Sequence, residues 1–136
     1  MSIANVATPN GGATITYSQP DRRFKGPAYN YIRASDRLPT YREISDVRDP
    51  LCKVKLFLAA SRYTYYVAAV TDYDGMYVLS GYCVSPLQPS FDAFEDASLQ
   101  EIAGVRVGGI PLERDLHFHP LHLKALQALI ASGRRP

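Results

Sequence analysis

The segment Leu51-Cys52-Lys53-Val54-Lys55-Leu56-Phe57-Leu58 alternates with a period of two, and two segments behind it read the same way. Arg62 to Thr71 (RYTYYVAAVT) and Met76 to Val84 (MYVLSGYCV) are rich in tyrosine and valine, which suit a pleated, half-buried surface. Between them Asp72-Tyr73-Asp74-Gly75 is turn-forming. Three such runs on short connections specify an antiparallel meander and rule out an all-helical chain.

Pairing Thr71 with Met76 and Leu58 with Arg62 sets a register in which Cys52 stands beside Ala68 and Leu79, and Cys83 beside Thr64 and Leu56. The two sulfurs then share a face about 13 Å apart along the strands, beyond the reach of a disulfide. Both cysteines are expected to be reduced and buried. In the same register Tyr63, Tyr65 and Tyr82 fall on the face opposite Cys52 and Leu56, next to Lys53 and Lys55.

Helical signals flank the meander. Thr40-Tyr41-Arg42-Glu43 and Ser98-Leu99-Gln100-Glu101 each have the hydroxyl-x-x-carboxylate pattern of a capping box. The first helix must stop before Pro50; the second should end at Gly104 or at Gly108-Gly109. Pro120 marks the start of a C-terminal helix lined by Leu123, Leu126, Leu129 and Ile130 and stopped by Ser132-Gly133. Residues 86–97 (PLQPSFDAFEDA), with two prolines and three acids around two phenylalanines, read as a loop.

A chain of 136 residues with 46% hydrophobic content supports one self-sufficient core. The expected architecture is a single α+β domain: an antiparallel sheet of about three to five strands, short helical turns and a helix packed on one face. Residues 38–133 form that domain. Residues 1–37, rich in Pro, Gly and Asn, form a basic arm with five Lys or Arg (Arg22, Arg23, Lys25, Arg33, Arg37) against two acids, so the remainder carries −1 of the net +2. So mild a charge does not itself select a nucleic acid or an anionic membrane. No apolar run nears the roughly 18 residues of a membrane helix, and the N-terminus lacks the order of a signal peptide. The cytoplasm is the expected compartment.

The segments LPTY (38–41), DPLCKVKLF (49–57), YDG (73–75) with the following GYCVS (81–85), SLQEI (98–102) and above all GIPLERDLHFHP (109–120) resemble a bacterial family catalogued as domain of unknown function 2958, over about residues 38–126. Its members are small proteins commonly encoded on plasmids, integrative elements and phages. The resemblance implies an accessory protein of mobile DNA and brings no established chemistry.

The ERDLHFH stretch and the residues after it hold all three histidines. Read as a strand over 112–118, this stretch turns Leu112, Arg114, Leu116 and Phe118 to one face and Glu113, Asp115, His117 and His119 to the other. A metal reading takes Asp115, His117, His119 and His122 as zinc ligands and makes the chain a metal-dependent enzyme. The structural reading pairs Asp115 or Glu113 with Arg114 or an arm arginine and gives His117 a buried hydrogen bond. A third makes Arg114, Asp115 and His117 part of a polar binding surface without metal. The tyrosine face has parallel readings: base stacking by Tyr63, Tyr65 and Tyr82 beside Lys53, Lys55, Arg22 and Arg23, contact with a protein partner, or cover by a helix or the arm. The preferred reading is a non-enzymatic interaction protein with an unidentified protein partner and no cofactor; a small nucleic-acid-binding protein is the alternative.

Overall fold

The computed structural model describes residues 29–59, 61, 63–85 and 93–136. Its first stretch already belongs to the core: Tyr31, Ile32 and Leu38 are buried, and the Tyr31 hydroxyl donates to the Leu112 carbonyl at 3.2 Å. The folded unit therefore includes residues 29–37, which the sequence assigns to the arm. Tyr29 and Tyr31, with ring centroids 4.8 Å apart, and Ile32 supply apolar area that burial favours. A 3-10 turn at Ala34–Asp36 leads to Thr40, whose side chain accepts from the Glu43 amide while the Glu43 carboxylate accepts from the Thr40 amide. That reciprocal cap opens α1 (Tyr41–Ile44), and the Tyr41 amide donates to Thr71 Oγ1 at 3.0 Å.

Next come β1 (Leu51–Cys52), β2 (Val54–Phe57), β3 (Thr64–Tyr73) and β4 (Met76–Val84). β3 and β4 make a long hairpin whose two-residue turn, Asp74 and Gly75, has positive φ of 54° and 89°. Tyr73 consequently pairs with Met76, and Thr71 with Val78 instead of Met76. The Leu58 amide likewise bonds the Tyr63 carbonyl. An extra residue on β3, Ala68, bulges between Val67 and Ala69. Opposite Val67 lies Gly81, where any Cβ would collide with the Tyr66 carbonyl. Glycine is required here by close backbone approach.

β5 (Ala93–Ser98) pairs with β4, correcting the loop expected there; residues 86–92 lie outside the described residues. Its Asp and Glu residues have poor strand propensity, but they sit on a sheet edge where exposed charge is tolerated. The Ser98 cap opens α2 (Leu99–Gly104) as the pattern anticipates. Gly108 and Gly109, with φ of 59° and 80°, instead turn a small hairpin between β6 (Arg106–Val107) and β7 (Ile110–Pro111). β8 (Glu113–Arg114) follows, then β9 (Leu121–His122) and α3 (Leu123–Ala131). Pro120 thus precedes a short strand and not a helix: α3 begins at Leu123, where the Leu123 amide donates to the Pro50 carbonyl at 2.8 Å and the Lys124 amide to Asp49 Oδ1 at 2.7 Å.

The main sheet is antiparallel in the order β5-β4-β3-β2-β8, and β9 pairs separately with β1. It is an α+β domain with apolar clusters on both sheet faces. One holds Tyr31, Leu56, Tyr65, Leu79, Cys83 and Ile102. The other holds Cys52, Tyr66, Ala68, Tyr82, Val84 and Leu126. The two free cysteines therefore belong to opposite clusters, contrary to the shared face expected. Burial alternates unbroken from Leu51 to Leu58, yet Cys52 joins one cluster and Val54, Leu56 and Leu58 the other, because at Lys53, outside both strands, the chain passes from pairing with β9 to pairing with β3.

Candidate functional site

The histidine segment does not form the strand expected over 112–118. Only Glu113 and Arg114 pair with β2, and the chain then turns: Asp115 Oδ1 accepts from the His117 amide at 2.8 Å, and its carbonyl from the Phe118 amide at 3.4 Å. A short polar side chain that bonds the backbone two residues on favours such a turn over a strand. Leu116 is 65% exposed, while Phe118 packs under Tyr66 with ring centroids 5.6 Å apart.

Arg114 is largely buried, with 12% of its side chain exposed, and grips the Asp36 carboxylate, itself 8% exposed, through two bonds of 2.6 and 2.7 Å. It also donates to the Tyr31 carbonyl, and its amide donates to the Tyr29 hydroxyl. Neither Glu113 nor Asp115 is its partner. Asp115 instead meets Lys55 at 3.5 Å, and Lys53 Nζ donates to the Arg37 carbonyl at 2.9 Å. Arg114, Asp115, Lys53 and Lys55 are thus all engaged in bonds that tie segments together.

His117 and His119 are exposed, so the buried hydrogen bond expected of His117 is not formed by its ring. His122 bonds the Asp49 carbonyl through Nδ1 at 2.9 Å, a third contact that ties the start of α3 to Asp49 and Pro50. Among the described residues no three His, Cys, Asp or Glu side chains gather where they could hold a metal, so Asp115, His117, His119 and His122 are not brought into one shell.

The tyrosines do not share an exposed face either. Tyr65 is buried with Leu56, its hydroxyl donating to the Leu79 and Glu95 carbonyls at 3.0 and 2.8 Å, while Tyr82 is buried in the other cluster with Cys52. The one-residue slip that pairs Leu56 with Tyr65 brings Tyr65 to the Leu56 face, while the bulge at Ala68 leaves Tyr82, paired with Tyr66, on the face opposite Leu56, where Cys52 joins it. Tyr63 packs at the margin of the first cluster, hydrogen-bonded to Cys83. Burial, reinforced by Asp96 and Glu95, holds the Tyr65 phenol far above its ordinary range; burial also raises Tyr63. Burial pushes Tyr66 up to about 12 against the opposing pull of Arg135. Arg22 and Arg23 lie outside the described residues.

An open groove of about 180 Å³ lies elsewhere, lined by Tyr41, Ile44, Val47 and Arg48 from α1 and the chain after it, with Phe94 from β5 and Leu123 from α3. Tyr41 is 43% and Val47 48% exposed. The volume is close to that of apolar cavities that take a single aromatic ring, about 150 Å³. Sequence reading did not find it, because Tyr41, Ile44, Phe94 and Leu123 come from three elements far apart in the chain.

No family model, curated protein or solved structure matches the chain.

Proposed function

We propose that this chain is a non-enzymatic interaction protein that holds a protein partner in the groove between α1, β5 and α3. The observation that carries this reading is the half-exposed Tyr41 and Val47 on the rim of a preformed apolar groove. Apolar area left in water at a concave site is recovered when a partner covers it. Through its resemblance in the ERDLHF region and the flanking motifs, we place the protein with the accessory proteins of plasmids, integrative elements or phages, acting in the cytoplasm. No helix among the described residues is long and apolar enough to cross a membrane.

The nucleic-acid alternative has less support, since Tyr65 and Tyr82 lie in opposite clusters and Lys53 and Lys55 already have partners. A photocrosslinking residue at Val47, with a control at exposed Ala125 on the side of α3 away from Leu123, tests the reading in cells. A protein adduct specific to position 47 is expected. Adducts to RNA or DNA, or equal protein labelling from both positions, would overturn it.

A further inference from the structure

β5 has β4 on one side, and among the described residues no strand pairs with its other edge. An unpaired strand presents a row of amides and carbonyls that an extended peptide can satisfy by adding as a further strand. β5 is also a wall of the groove, through Phe94. Because side chains alternate with a period of two, a strand laid along β5 would send every second side chain toward the face that carries Phe94 and the groove. The edge and the groove thus meet on one element.

Charge narrows the occupant. Glu95 and Asp96 are exposed in the middle of β5, and Glu101 is exposed on α2 just beyond it. None of the three has an ion-pair partner among the described residues; Asp96 accepts only from the Ser80 hydroxyl, at 2.7 Å, and Glu101 serves the Ser98 cap. Opposite charges directly across a strand pair favour pairing and like charges oppose it. Arg48 is the charged side chain that lines the groove, so an apolar side chain suits the groove and the strand's basic residues belong on the other face, with Glu95, which alternation sets opposite Phe94.

We propose that the outer edge of β5 binds a basic, extended segment of a partner protein by strand addition, with one of its apolar side chains entering the groove beside Phe94. This inference rests on the protein-binding reading above and specifies the partner's chemistry.

The test uses the full chain and two synthetic probes, Lys-Val-Lys-Phe-Lys-Val-Lys and its charge-reversed counterpart Glu-Val-Glu-Phe-Glu-Val-Glu, followed by fluorescence anisotropy and by amide hydrogen exchange. The basic probe should bind at least about tenfold more tightly than the acidic one, weaken with salt, and protect amides within Ala93–Ser98. Glu95→Lys should remove that preference, and Val47→Arg, which fills the groove, should weaken binding with the fold intact by circular dichroism. Equal binding of the two probes, or binding without protection in β5, overturns the proposal. If neither probe binds while the crosslink at position 47 persists, strand addition fails and the protein-binding reading stands; the charges then serve to keep the edge unpaired. Loss of both results ends both readings.

Discussion

Arg114 reaches Asp36 across 78 positions of sequence and meets it in a two-pronged ion pair, the tie between the first described segment and β8. Removing one member leaves the other charge buried without a counterion. Arg114→Ala or Asp36→Ala should therefore lower unfolding free energy by about 3 to 5 kcal/mol. Asp36→Leu combined with Arg114→Leu should lower it by less. Urea denaturation of the three variants checks the order; equal losses would show that the pair acts through shape alone.

Two glycines should respond in opposite directions. Gly81→Ala forces a Cβ into the Tyr66 carbonyl and should cost about 1 to 3 kcal/mol or more, because backbone must move to admit it. Gly104→Ala, at the last position of α2 with nothing within 4 Å of the new methyl, should stabilise by up to about 1 kcal/mol. Thermal melts of both variants decide.

Burial, helped by Asp49, raises the Cys52 thiol from 9.0 to about 12. Below pH 9 the thiol is protonated in both folded and unfolded chains, and stability is indifferent to it. Between about 9 and 12 the unfolded chain ionises while the folded one does not, so stability falls with pH by up to about 1.4 kcal/mol per pH unit from this group. Tyr66, raised from 10.0 to about 12, steepens the fall above 10. Denaturation midpoints across this range should show the decline, and Cys52→Ala should flatten its lower part.

Both thiols are free and buried in separate clusters. A thiol reagent should find two reactive cysteines after denaturation and none on the same timescale in the native protein. A Cys52–Cys83 bridge in non-reducing peptide maps would contradict the opposite-face placement.

His117→Ala should change stability by no more than about 0.5 kcal/mol, since its ring is exposed and only its amide is bonded. Asp115→Ala, which loses that turn bond and the Lys55 contact, should cost about 1 kcal/mol. Calorimetry with and without chelator, run on the same variants, should give unchanged melting temperatures; a chelator-sensitive melt lost in His117→Ala would revive the zinc reading.

Local chemistry was legible in the residues themselves. Both capping boxes form between groups three positions apart, and Asp-Gly at 74–75 turns the hairpin because both residues accept positive φ. The register was not, since a one-residue slip where Leu58 meets Tyr63 puts Tyr65 on the Leu56 face, and one bulged alanine then sets Tyr82 on the face opposite Tyr65. β5 was hidden because Phe94-Glu95-Asp96-Ala97 has the composition of a loop and becomes a strand only by pairing with β4. The groove and the Arg114–Asp36 pair join segments whose proximity no local pattern records.

The start of α3 is set from outside it, by Asp49 and Pro50. During synthesis from the N-terminus those acceptors leave the ribosome long before Lys124 does. The last helix of the domain therefore arrives at a template that already holds its first turn, and the steep entropy of starting a nine-residue helix is met by a surface built earlier.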